Sequence, residues 1–171
     1  ELYLRANQLS YDDPQWGLAK SLYEQCVKID PSYAPAWARL GRINRVIGKF
    51  DERAPRPSYQ AAEANFRRAL ELNPDLSIGH NLFAYLEAEI GQADAALLRL
   101  VTRLQRQPND PELFGALCHV SRYCGLLDVS VAAHKRARML DPKIPTSVLL
   151  TFMMLGDYAN VLIEPRNPEA F

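Results

Sequence analysis

The sequence predicts an all-α fold, a solenoid of stacked antiparallel helix pairs, and three observations predict it. Pro31, Pro74, Pro108 and Pro142 recur at separations of 43, 34 and 34 residues. Three further marker sets keep these intervals: Gly48, Gly91 and Gly125; Trp37, His80, Phe114 and Val148; Ala19, Ala62, Ala96 and Ser130. Between the markers, apolar residues fall at i, i+3, i+4 and i+7, the spacing of one helix face. A fixed period of this size arises from stacking one supersecondary unit. Function is then a property of repeat surfaces, not of a catalytic cleft.

The units follow in order. The first (about residues 1–33) has a degenerate first helix with Tyr3, Ala6 and Asn7. Its second helix carries Ala19, Tyr23 and Cys26 and closes at Pro31. The second (34–76) places Trp37, Leu40, Gly41 and Ile43 on one helix and Ala62, Phe66, Ala69 and Leu70 on its partner. The third (77–110) keeps Phe83-Ala84, then Ala96 and Leu100. The fourth (111–144) keeps Phe114, Leu117 and Cys118, then Ser130, His134 and Ala137. Gly48, Gly91 and Gly125 are expected just past the end of each first helix. An Asp-, Asn- or Gln-Pro pair ends each second helix, because proline disfavours helix in the residue before it.

The long interval is confined to one place. Gly91 to Ala96 and Gly125 to Ser130 are 5 residues each, but Gly48 to Ala62 is 14. Nine extra residues therefore lie within 49–61, where Pro55 and Pro57 predict a polar loop that is not regular helix. The last unit (145–171) is partial. Pro145 opens a very apolar helix over 148–155, Gly156 arrives three residues early, and the tail after Tyr158 shows no clear partner helix. That apolar end is expected to pack against further chain, a short capping helix or another subunit.

Composition removes several classes of function. Twenty basic and twenty acidic residues in 171 leave no net charge, so nothing global points to nucleic acid or a membrane surface. The longest apolar run, residues 148–155, is far below the roughly 20 residues of a membrane helix. Cys26, Cys118 and Cys124 lack CxxC spacing, which argues against a disulfide framework or a zinc site. Cys26 and Cys118 occupy small-residue slots and read as small buried hydrophobes, in a reducing, cytoplasmic setting. Phosphate-loop, zinc, nucleophile-elbow and calcium motifs are absent, so no enzyme, cofactor or metal is expected. His80 and His134 fall in the slots of Trp37 and Phe66 and read as packing residues. The chain begins at Glu1 in mid-helix pattern and reads as a piece of a longer protein.

Trp37-x2-Leu40-Gly41, then Ala62-x3-Phe66-x2-Ala69 and Pro74, resembles the tetratricopeptide repeat, W-x2-L-G-x2-Y, A-x3-F, P over 34 residues, with Asn44 at the tyrosine position. The resemblance covers nearly the whole chain. It implies a right-handed superhelix, and a concave groove lined by the first helix of each pair. On that face the register places Arg42 and Arg45, then Asn81, Tyr85 and Glu89, then His119, Arg122 and Tyr123. Arginine can grip a carboxylate bidentately, asparagine can bond peptide backbone, and tyrosine adds rigid contact area. The two-Lys, two-Asn, one-Arg clamp that some members use for chaperone tails is not matched by Leu4, Gln8, Ala38, Ile78 and Leu82. Residues 1–4, 19–31 and 33–41 are also similar to repeat regions of bacterial signalling proteins: class III adenylate cyclases, serine/threonine kinases and winged-helix regulators.

The expected function is a non-catalytic protein-interaction or regulatory module, binding a peptide or partner segment, acidic in character, through Arg42, Arg45, Asn81, Tyr85, His119, Arg122 and Tyr123. Its rival is self-association or interdomain packing through the apolar C-terminal helix, with Val148, Phe152 and Leu155 at a homodimer surface. Neither nucleic acid nor membrane is an expected partner.

Overall fold

The computed structural model describes residues 1–50 and 55–164. Among them every regular element is a helix: α1 (Leu2–Leu9), a 3-10 turn (Asp13–Gln15), α2 (Trp16–Ile29), α3 (Ala34–Phe50), α4 (Pro55–Leu72), α5 (Ser77–Glu89), α6 (Ala93–Arg106), α7 (Pro111–Tyr123), α8 (Leu127–Leu140), α9 (Val148–Leu155) and α10 (Tyr158–Ile163). The chain divides into two compact units, Glu1–Leu86 and Glu87–Phe171.

The proline ruler has a hydrogen-bonding basis. The residue before each proline closes its helix through the same bond: Asp30, Asn73, Gln107 and Asp141 donate backbone N–H to the carbonyls of Cys26, Ala69, Arg103 and Ala137, each at 2.9 Å. Where that residue is Asp or Asn, its side chain also accepts from the backbone N–H two positions on, at Ser32 (3.0 Å), Asp75 (3.1 Å) and Lys143 (2.9 Å). This short-range bond is why Asp and Asn favour turns. Gln107 is one methylene longer, and its buried Oε1 has no hydrogen-bond partner. Trp37 and His80 repeat a second device: Trp37 Nε1 donates to the Pro31 carbonyl at 2.9 Å, and His80 Nε2 stands 2.9 Å from the Pro74 carbonyl.

In the first unit, Ala6, Ala19, Leu22, Tyr23, Leu40 and Ile43 form one core, and Phe66, Phe83 and Leu86 anchor another. Tyr23 donates from its hydroxyl to Asn7 Oδ1 at 2.7 Å, and burial pushes its phenol up to about 12. Phe66 is fully buried and stacks on Phe83 at 5.4 Å. It lies so close to α3 that a Cβ at Gly41 would stand 2.7 Å from its ring. The contact sets a small residue of α3 against a large one of α4.

Two expectations about the long interval are corrected. Gly91 and Gly125 do end their helices in the left-handed region, with φ of +82° and +74°. Gly48 does not: it lies buried inside α3, which continues to Phe50. Likewise Pro55 and Pro57 do not exclude helix, because α4 begins at Pro55. The first helical N–H groups lack intrahelical acceptors, so a proline there loses no bond. Pro57 has only two helical residues before it, so its ring meets no preceding turn. α3 and α4 have 17 and 18 residues, against 13 and 14 in α7 and α8. The extra residues therefore lengthen both helices by about one turn each. Residues 51–54, the rest of the expected loop, lie outside the described ones.

In the second unit, Asp110 caps α7 by accepting from the backbone N–H of Glu112 (2.9 Å) and Leu113 (3.2 Å). α9 is short, but three hydroxyls fasten its start to α7 and α8. Thr146 Oγ1 lies 2.8 Å from His134 Nδ1, and Ser147 Oγ lies 3.1 Å from His119 Nδ1. Ser130 Oγ donates to the Cys118 carbonyl at 2.7 Å, so Thr151 Oγ1 donates to Ser130 at 2.8 Å. Cys118 is fully buried, and burial pushes its thiol up to about 11.

The expectations for the C-terminal end are corrected in two respects. The tail does form a partner helix, α10, whose N-cap Asp157 accepts from Asn160 N–H at 3.2 Å. Val148 and Phe152, assigned to a homodimer surface, are 1% and 6% exposed and pack against Leu117, Cys118 and Ala133. The apolar stripe of α9 is consumed by the unit's own core, leaving Met153, Met154 and Leu155 outside.

Candidate functional site

The arginines of α3 form one row. Arg39, Arg42 and Arg45 are spaced i, i+3 and i+6, so they share a face. Arg39 is half-buried, whereas Arg42 and Arg45 are only 4% and 2% exposed. The residues covering Arg42 come from the α1–α2 connection. Arg42 Nη1 donates to the Ser10 carbonyl at 3.1 Å, and its guanidinium lies 4.3 Å above the Tyr11 ring. Arg39 Nη1 donates to the Tyr11 hydroxyl at 3.0 Å, and its buried Nε has no hydrogen-bond partner. Among the described residues, no carboxylate pairs with Arg39 or Arg42. Burial moves the Arg42 guanidinium below the usual arginine value, with Arg45 and Arg39 adding to the effect and Tyr11 opposing it.

Of the site residues expected in this unit, Arg45 and Tyr85 come together, the guanidinium 5.4 Å from the ring centroid. Asn81 and Tyr85 on α5 are 6% and 8% exposed. Sequence reasoning missed Arg39 and Tyr11. Arg39 was within reach, since it stands three residues before Arg42. Nothing in helical spacing points to Tyr11, which lies 28 residues before Arg39.

In the second unit, His119, Arg122 and Tyr123 form one cluster at the end of α7. Arg122 Nη2 lies 3.2 Å from His119 Nδ1, the ring nitrogen that also faces the Ser147 hydroxyl. The His119 and Tyr123 rings lie 4.9 Å apart, and the Arg122 guanidinium stands 4.9 Å from the Tyr123 centroid. His119 is buried, Arg122 is half-buried, and Tyr123 is exposed.

A cleft of about 510 Å³ opens between α8, α9 and α10, with Asp128, Val131, Lys135, Phe152, Asp157 and Glu164 among its lining residues. His134 lies on its wall, 3.6 Å from Glu164, which also accepts from Arg138 at 3.0 Å. Burial holds the His134 pKa below its ordinary 6.5, outweighing the attraction of Glu164 and reinforced by Arg138 and Lys135. The folded state thus prefers neutral imidazole. The unfolded chain takes up a proton first as pH falls through about 6.5, so stability is full above that pH and declines below it. His134→Phe, which places at 134 the residue of the equivalent slot at 66, is expected to flatten the fall in thermal midpoint between pH 7 and pH 5.

Among the described residues, no group of three or more His, Cys, Asp or Glu side chains is placed to hold a metal ion, and no helix is long and apolar enough to cross a membrane.

Solved structures resemble this fold. A thermophilic tetratricopeptide-repeat protein of Thermus thermophilus, TTC0263, is 21% identical with a TM-score of 0.69, covering 95% of this chain and 80% of that one. The Cut9–Hcn1 hetero-tetramer of the APC/C is 16% identical with a TM-score of 0.65, covering 94% of this chain and 34% of its match. A MamA RS-1 double mutant is 15% identical with a TM-score of 0.53, covering 95% and 89%. No family model matches the chain, and neither does any curated protein. The fold is tetratricopeptide-repeat-like and all-α.

Proposed function

We propose that this chain is a non-catalytic interaction module that takes an acidic segment of a partner protein on the first-helix faces of its repeats. The observation that carries the reading is the pair Arg39 and Arg42, two largely desolvated guanidiniums with no carboxylate partner among the described residues. A buried charge is costly unless paired, and a bidentate carboxylate is the best match to a guanidinium. Arg45, Asn81 and Tyr85 extend this face in the first unit. His119, Arg122 and Tyr123 offer an aromatic and cationic cluster of the same character in the second. Cut9, which is solved as a hetero-tetramer with Hcn1, is a precedent for this kind of fold engaging a protein. A place beside a catalytic or DNA-binding domain of a bacterial signalling protein would suit such a module.

The test is titration with a fluorescein-labelled Asp/Glu-rich peptide, read by anisotropy. Arg39→Glu with Arg122→Glu, both at half-buried positions, is expected to weaken capture by ten- to a hundredfold, as for loss of about 1.5–3 kcal/mol of charge-assisted bonding. Unchanged affinity in a wild-type binder would remove these faces from the interface.

Self-association is the second reading, favoured by the cap of the last helix pair. Met153, Met154 and Leu155 are 52%, 59% and 44% exposed, a run of three apolar side chains, and Tyr158, three residues on, is 68% exposed; exposed apolar surface of this kind can mark an interaction site.

A further inference from the structure

We infer that Tyr11 is a resident occupant of the α3 arginine face, and that an exogenous segment carrying a carboxylate beside an aromatic ring takes its place. The inference rests on the acidic-partner reading and adds both the gate and the chemistry admitted.

The resident contacts use neutral groups. Arg42 has a peptide carbonyl and the face of a phenol ring; Arg39 has a phenol oxygen. Each guanidinium carries five N–H donors, and the buried Arg39 Nε is among those left without an acceptor. A carboxylate in place of the Tyr11 hydroxyl would supply two acceptors and the missing negative charge, in bonds roughly twice as strong as neutral ones. An incoming aromatic ring would restore the cation–π contact with Arg42.

The covering segment is built so that one side chain can leave. Ser10 is 1% exposed and fixed: its hydroxyl donates to the Asn7 carbonyl at 2.9 Å and its N–H to the Ala6 carbonyl at 3.0 Å. Asp12, Asp13 and Pro14 are exposed and make no side-chain bond to α3. Tyr11 stands between them, half-buried, and among the described residues its hydrogen bond and its cation–π contact to α3 are those with Arg39 and Arg42. Rotation about its own side-chain bonds uncovers the face without unfolding the connection. Two carboxylates follow it in sequence, so the segment Tyr11-Asp12-Asp13 is itself an example of the chemistry the face would accept.

The experiment is anisotropy titration of a fluorescein-labelled Glu-Tyr-Asp-Asp-Glu peptide against the full chain and three variants. Tyr11→Ala is expected to bind about tenfold or more tighter than wild type, since a charged hydrogen bond no longer has to be exchanged. Tyr11→Phe, which keeps the ring and removes only the hydroxyl, is expected to fall between them. Tyr11→Ala with Arg39→Gln is expected to lose the gain. Equal binding by wild type, Tyr11→Ala and Tyr11→Phe overturns the resident-occupant inference while leaving the acidic-partner reading intact. No binding by any of the four proteins overturns both. If Tyr11→Ala loses its helical circular dichroism, Tyr11→Phe alone decides, and an affinity no higher than wild type overturns the inference.

Discussion

Phe66→Ala is expected to destabilise the first unit by about 3–5 kcal/mol, the range for removing a buried aromatic ring, read as a drop in urea midpoint at unchanged slope. The ring is fully buried, stacks on Phe83 at 5.4 Å and fills the space that Gly41 leaves on α3. The loss is a large share of the roughly 5–15 kcal/mol that holds an ordinary domain. The same contact makes a sharper prediction in reverse. A Cβ at position 41 would stand 2.7 Å from the ring, so Gly41→Ala alone is expected to cost about 1–3 kcal/mol through overpacking. In a Phe66→Ala background the clash is gone and alanine's helix propensity, about 1 kcal/mol better than glycine's, remains. Gly41→Ala should then become stabilising. A cost that persists in both backgrounds would show that Gly41 is required for some reason other than the ring.

That pair was legible in the sequence because it belongs to the repeat. In sequence, Ala84 and Leu100, and then Cys118 and His134, stand one and two periods after the positions of Gly41 and Phe66, so the repeat marks these as equivalent small and large slots. The prolines at 31, 74, 108 and 142 were legible for the same reason, since each closes its helix by one shared backbone bond. Departures from the period were harder to read. Pro55 and Pro57 carry a general penalty against helix, yet the penalty disappears in a first turn, and only the position of the helix start decides. The register placed Arg42 and Arg45 on the expected face but said nothing of what covers it. The cover comes from Ser10 and Tyr11, in the one connection that follows the degenerate first helix. His119 was read by its register on the groove face and His134 by its slot. Their hydrogen bonds to Ser147 and Thr146 depend on hydroxyls beyond the last full repeat, where the ruler ends.

Phe152→Ala is expected to destabilise the second unit by about 3–5 kcal/mol, and this result separates the two uses to which α9 could be put. A helix reading VLLTFMML offers apolar residues on every side, so its sequence does not say which of them face inward. The structure divides them. Val148 and Phe152 lie in the core, with the Phe152 ring edge-on to His134 at 6.2 Å, while Met153 and Met154 project outward. Met153→Gln with Met154→Gln keeps helix propensity nearly constant and removes apolar surface only from the exposed side. It should change stability by no more than about 0.5 kcal/mol, as at other surface positions. If the cap joins two copies, sedimentation across a range of concentrations will show wild type associating and the double glutamine variant monomeric. A wild type that stays monomeric at every concentration removes self-association and leaves α9 as a closing helix alone. A Phe152→Ala protein as stable as wild type would instead put the ring outside the core and return it to the interface.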